Sequence, residues 1–183
     1  TPERALAPAE RLGALMPGAG HIVHMPAHIY YRVGQYRRSL DTNKLAVRVD
    51  EKYFAGSPSD PLYKSAYYPH NIHFVMVSAQ MGGDGATAID AAKKLDAAVP
   101  VELARQFQIM EPVKAAPYTT QTQFADPDTV LALPKPDEQL VLVRAMYHYA
   151  RAVAFTRKKD ASSARAETDA IAALEAQSDF KAY

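Results

Sequence analysis

The feature that most constrains this chain is an internal repeat. Placing Gly34 on Gly83 aligns two segments without a gap. A histidine lies thirteen residues before each glycine (His21, His70), and another lies ten before (His24, His73). A small residue follows five after (Ser39, Ala88) and an apolar one twelve after (Ala46, Leu95). A third copy fits with Lys159 in the glycine place, Ala164 and Ile171 downstream, and Met146 and Tyr149 where the histidines stood. This pattern predicts a helical hairpin of about 34 residues: one helix ends near the glycine, a tight turn follows, and small residues let the second helix pack closely.

The three turns are then Gly34-Gln35-Tyr36, Gly83-Asp84-Gly85 and Lys159-Asp160-Ala161, with second helices over Tyr36 to Asp50, Gly85 to Ala98 and Ala161 to Gln177. Alanine, the strongest helix former, is the commonest residue at 33 of 183, so the expected class is all-α. Pro100 closes the second hairpin because proline cannot continue a helix. Segment 1–17 reads as a lone second helix whose partner is missing, so the chain is expected to begin in the middle of a repeat. The expected order is that helix, a repeat over 20–50, a loop insertion over 51–69, a repeat over 69–100, a degenerate repeat over 101–136 and a repeat over 137–177. The insertion holds Gly56-Ser57-Pro58-Ser59-Asp60-Pro61, which is turn chemistry, and the degenerate stretch is broken by Pro112, Pro117, Asp126-Pro127 and Pro134-Lys135-Pro136.

Gly34-Gln35-Tyr36 with Ala46, and Gly83-Asp84 with Ala88 and Pro100, resemble tetratricopeptide repeats. The strings His24-Met25-Pro26-Ala27-His28-Ile29-Tyr30 with Arg32 and Gly34, and Tyr68-Pro69-His70-Asn71-Ile72-His73-Phe74, are similar to those of a family of bacterial tetratricopeptide-repeat proteins of poorly defined role. The hallmark tryptophan of the general repeat is absent. The resemblance implies a short right-handed solenoid of hairpins whose concave groove is lined by first-helix positions, among them those of the histidines. It also implies a further His-containing helix just upstream, so the chain resembles a C-terminal fragment.

His21, His24 and His28 are spaced i, i+3 and i+7, which at about 100° per residue puts them at roughly 0°, 300° and 340° on a helix, facing one way. His70 and His73 hold the places of His21 and His24 in the next repeat, and stacked repeats present equivalent positions side by side. Three or four imidazoles from two rigid helices meet the ligand count of a transition-metal site. Zinc or copper is the expected ion, since the chain has no cysteine and an imidazole-only site offers calcium or magnesium no hard oxygen ligands. The alternative is that the histidines cap, pack or face water. Pro26 leaves a second choice open. If the first helix begins there, His21 and His24 sit on the preceding turn and the safest ligand set is His24, His28, His70 and His73, with His21 supplementary.

Nearby, Arg32 shares the face of His28 and suits a carboxylate or phosphate, or else is a solvated helix-end arginine. Tyr31, Tyr68 and Asn71 flank the patch as candidate ligand contacts, although tyrosines in helical hairpins also serve as packing wedges. His148 is not at a repeat-equivalent place and is expected to be structural. A zinc-protease motif needs Glu directly after the first histidine, and Met25 stands there. Asp50, Glu51 and Asp84 are expected at turns or helix ends, facing water.

The functional expectation is therefore a tetratricopeptide-type binding protein with a His-lined metal site. Two alternatives stay open: a scaffold that holds a peptide or protein partner in its groove without metal, and a metal-dependent oxidative enzyme. A formal net charge of +1 without a polybasic run removes the main reason to propose a nucleic-acid partner. No apolar run approaches the roughly 20 residues of a membrane span, and no targeting segment is visible, so the expectation is a soluble protein of the bacterial cytoplasm or periplasm.

Overall fold

The computed structural model describes residues 1–56, 60–178 and 180, and every regular element among them is helical. Contacts divide the chain into two compact units, Thr1–Ala98 and Val99–Tyr183. In the first, a 3-10 turn (Pro2–Ala5) leads into α1 (Leu6–Leu15), α2 (Gly20–Arg32) and α3 (Tyr36–Gly56). A π-helical turn (Tyr63–Tyr67) then leads directly into α4 (Tyr68–Gly82), which is followed by α5 (Gly85–Ala98). Each α-helix packs on the one before it, and α2 also reaches α4.

The α2–α3 and α4–α5 connections are closed by the same device. At the first, the Gln35 N–H donates to Tyr30 O (2.8 Å) and the Gly34 N–H to Tyr31 O (3.1 Å); at the second, Asp84 N–H donates to Ala79 O (2.9 Å) and Gly83 N–H to Gln80 O (3.3 Å). This is the Schellman pairing, which satisfies carbonyls left over at a helix end and requires a left-handed residue just past it. Gly34 and Gly83 supply that conformation at φ 78° and 74°.

Close packing around α3 follows from the residues that face inward. Ser39, Leu40, Asn43, Ala46, Val47 and Asp50 are buried at spacings of three and four, one continuous stripe. Ser39 Oγ donates to Ala27 O (3.2 Å) and shares a hydrogen bond with Ser78 Oγ (2.8 Å), so hydroxyls lie where α2, α3 and α4 meet. In the next hairpin Ala79, Ala88, Ala92 and Leu95 are wholly buried.

The structure decides one choice that the sequence left open and departs from one expectation. Pro26 does not start the first helix: α2 runs from Gly20 through a buried Pro26 to Arg32. A mid-helix proline forfeits one hydrogen bond, at about 3 kcal/mol. Burial of Val23, Ala27 and Tyr30 on the same helix offsets that cost. The irregular stretch expected over 51–69 is helical at both ends, since α3 continues to Gly56 and helix resumes at Pro61. Asp60 begins the new helix by accepting from the Leu62 N–H (2.7 Å) and, more weakly, from the Tyr63 N–H (3.4 Å), with Pro61 at the first helical position. The Ser57-Pro58-Ser59 part of the expected loop lies outside the described residues.

The second unit holds α6 (Val101–Gln106), a 3-10 turn (Gln108–Met110), α7 (Glu111–Ala115), α8 (Pro117–Phe124), α9 (Pro127–Leu131), α10 (Val141–Arg157) and α11 (Ala161–Gln177). Pro112, Pro117 and Pro127 sit in the first turn of α7, α8 and α9, where a missing N–H costs nothing, so they start short helices. α10 packs on α7, α8, α9 and α11. The buried Glu111 carboxylate accepts from the Leu142 N–H (2.6 Å) at the positive end of α10. The α10–α11 turn repeats the Schellman pairing, with Asp160 N–H to Phe155 O (3.0 Å) and Lys159 N–H to Thr156 O (2.9 Å). Lys159 takes φ 61°, alone among the described non-glycine residues in having positive φ. Among the described residues no helix is long and apolar enough to cross a membrane.

Candidate metal centre

The seventeen-residue stretch from Gly18 to Gly34 and the start of α4 carry the histidines of the first unit. Because α2 is helical from Gly20, His21, His24 and His28 share one face of it. Pro69 occupies the first turn of α4, which places His70 at the end of that helix that approaches α2.

Three imidazoles meet there. The Nε2 atoms of His24 and His28 are 2.8 Å apart, those of His24 and His70 3.0 Å, and those of His28 and His70 3.4 Å. A tetrahedral ion about 2.0–2.1 Å from each imidazole nitrogen would set such nitrogens roughly 3.3–3.4 Å apart. The triangle lies within about half an ångström of that spacing on every side. Phe74, one turn beyond His70 on α4, packs against all three rings, with centroids at 4.8, 4.3 and 5.1 Å from those of His24, His28 and His70. One wall of the cluster is therefore hydrocarbon.

The tautomer of His24 is set from behind. Asn43 on α3 donates its Nδ2 to Ser39 O (2.8 Å), which turns its Oδ1 toward His24 Nδ1 at 2.6 Å. That oxygen can only accept, so His24 carries its proton on Nδ1 and presents a lone pair at Nε2. Such outer hydrogen bonds orient metal-ligating histidines and raise their basicity as ligands. Both His24 and Asn43 are fully buried.

Electrostatics keep these rings neutral. Burial lowers the pKa of His24 to about 3, helped by repulsion from His70, His28 and His21 and opposed by the hydrogen bond to Asn43. Burial likewise lowers His70 to about 4, with the neighbouring imidazoles adding to the effect, and lowers His28 and His73. Neutral imidazole is the form that binds a metal ion.

His21 lies beside the triangle. Its ring stacks on His24 (centroids 5.4 Å, interplanar angle 21°) and lies 4.5 Å from Tyr67 and 5.7 Å from His70. Ligand atoms of His21, His24 and His70 all fall within 4.8 Å of one another, a grouping that shares two corners with the Nε2 triangle. We take the Nε2 triangle as the core because its three atoms are closer together. His73, one turn along α4 from His70, is partly buried and is not among the converging rings.

The other sequence candidates sit outside this core. Arg32 is exposed. Tyr31 packs edge-on against Tyr36 (5.3 Å) and Phe74 (6.0 Å), and burial raises its pKa. Tyr68 donates its hydroxyl to Glu51 Oε1 (2.9 Å), and Asn71 donates to Asp50 Oδ2 (2.7 Å). His148, in the second unit, pairs its Nδ1 with Glu167 Oε2 (2.7 Å), a carboxylate that also accepts from Arg151 Nε (2.7 Å).

Asp50 corrects the expectation that it would face water at a helix end. It lies inside α3, is 1% exposed, and accepts from Tyr63 Oη (2.7 Å) as well as from Asn71. Burial raises its pKa against the pull of both hydrogen bonds. Tyr63 Oη also accepts from the His21 N–H (3.0 Å), so Asp50 ties the first turn of α2 to the turn before α4. Glu51 is likewise within α3, ion-paired to Lys94. Asp50, Asn43 and Phe74 were missed as site residues by the sequence reading. The available signal was that Ser39, Asn43 and Asp50 fall on one stripe with Ala46 and Val47, so that polar groups had to be buried and partnered.

Comparisons with family models, with curated proteins and with solved structures find no match to this chain.

Proposed function

We propose that this protein binds a transition-metal ion, zinc or copper, on His24, His28 and His70. The observation that carries the proposal is the convergence of three Nε2 atoms within 3.4 Å, one of them forced by Asn43 to present its lone pair. Low pKa values keep the ligands in their binding form at neutral pH, and the Phe74 wall lowers the local dielectric so that a cation is held mainly by the nitrogens. Within that proposal the scaffold is a tetratricopeptide-like array. The three matching left-handed turns at Gly34, Gly83 and Lys159 support it, as do the small buried residues after the first two.

The test is metal analysis and calorimetry on untagged protein stripped with chelator. One equivalent of zinc or copper is expected to bind, and the pair of substitutions His24→Ala and His70→Ala, each alone, should abolish it while leaving the helical circular dichroism intact. Failure of the wild-type protein to take up either ion overturns the proposal.

A further inference from the structure

A three-histidine centre has a fourth position, and whether protein or solvent fills it separates two kinds of site. Structural and carrier sites are closed by protein ligands, whereas catalytic zinc keeps a position for water or substrate. We propose that His21 fills that position, so that the centre is a closed set of four imidazoles. This inference rests on the metal-binding proposal above.

Three observations carry it. One ring nitrogen of His21 lies within 4.8 Å of ligand atoms of His24 and His70, close enough for a side-chain rotation about a nearly fixed backbone to bring it to a common ion. The ring centroids of five pairs among the four histidines have suitable separations: an ion about 2.05 Å from each nitrogen, hence roughly 3.2 Å from each centroid, spaces tetrahedral centroids about 5.2 Å apart. The His21 ring stands 5.4 Å from His24 and 5.7 Å from His70, and the three pairs among His24, His28 and His70 span 4.5 to 5.4 Å. Finally, His21 Nδ1 is buried without a hydrogen-bond partner, which is costly for a nitrogen that has no other role.

The backbone around His21 holds the ring in reach. Its N–H is pinned to Tyr63 Oη, which Asp50 holds in turn, and Tyr67 lies against the ring. Gly20 permits this arrangement, because a Cβ there would stand 1.9 Å from Asp50 Oδ1. A closed centre of this kind holds or carries an ion and leaves water no position on it to be activated.

Cobalt(II) is the probe, since its visible absorption reports coordination number and ligand exchange. The chelator-stripped wild-type protein is loaded with one equivalent of cobalt(II) and titrated with azide and with pH from 6.5 to 9. The expected result is an intense four-coordinate spectrum that neither azide nor pH alters. His21→Ala should open the site, giving a spectrum that shifts with both. His21→Phe, which retains a ring against His24 and Tyr67 but offers no ligand nitrogen, should behave like His21→Ala if coordination and not packing is responsible. A wild-type spectrum that responds to azide, or variants whose spectra match the wild type, overturns the closed centre while leaving metal binding standing. No cobalt spectrum in the wild type, together with no zinc or copper uptake, removes the underlying proposal instead.

Discussion

Acidifying the metal-free protein should destabilise its first unit well above the pH at which carboxylates titrate. In the unfolded chain His24 and His70 protonate near pH 6.5, but in the folded unit they stay neutral down to about 3 and 4. Between those limits the unfolded state binds more protons, so stability is complete above pH 6.5 and is lost as pH falls. Integrated from pH 7 to pH 5, each group contributes about 1.9 kcal/mol, or close to 4 kcal/mol for the pair. His28 and His73 are shifted the same way and add to the loss. Asp50 has the opposite sign, because its raised pKa favours the folded state as pH falls through it. Against the roughly 5–15 kcal/mol of an ordinary domain, a loss of that size is large. The assay is urea denaturation of chelator-treated protein at pH 7, 6 and 5, read by hydrogen exchange of peptides from α2 and α4 so that the first unit is followed by itself. His24→Gln, which cannot protonate, should reduce the loss between pH 7 and pH 5 by about 2 kcal/mol. A change below about 1 kcal/mol between pH 7 and 5 in the wild type would refute the claim that these imidazoles are buried as neutral groups.

Three further outcomes are expected. Asn43→Ala removes the acceptor that orients His24 and should weaken zinc or copper binding about 10- to 100-fold by calorimetry, without removing it. Lys159→Gly relieves a left-handed non-glycine residue and should stabilise the α10–α11 turn by about 1 kcal/mol, seen as a raised thermal midpoint. Gly20→Ala drives a methyl group into Asp50 and should cost about 3 kcal/mol or more in urea unfolding, whereas Gly18→Ala, where an added Cβ meets nothing within 4 Å, should cost far less.

The parts of this structure that were readable beforehand are those governed by local rules. A capping aspartate at the start of a helix marks a turn, and so Asp84 after Gly83, accepting from the Thr87 N–H at 3.1 Å, and Asp160 after Lys159, accepting from the Ser163 N–H at 3.0 Å, stand where hairpins reverse. Even Lys159 could be placed, because its neighbours dictated the geometry that the residue itself disfavours. What depended on tertiary contact was harder to read. Pro26 argues locally for a helix start, yet packing of Val23, Ala27 and Tyr30 carries the helix through it. The selection of ring partners was also out of reach. Repeat arithmetic pairs His21 with His70 and His24 with His73, but which imidazoles touch depends on how α2 and α4 are offset, and that offset brings His28 and His24 onto His70. The burial of Asn43 and Asp50 was illegible for a related reason: a polar residue on a helix says nothing of its burial until the helices against its face are known.

The position of the triangle has a mechanical meaning. His24 and His70 are separated by 46 residues of chain, and neither hairpin alone can supply all three nitrogens. An ion bound there is a cross-link closing a loop of that length, and in the chain-entropy account a permanent link of 46 residues is worth about 4 kcal/mol. Loading the site would therefore couple two hairpins into one cooperative body, and stripping it would let them part at a lower load or temperature. The same four helices would then be a stiff element or a compliant one according to the free metal concentration around them.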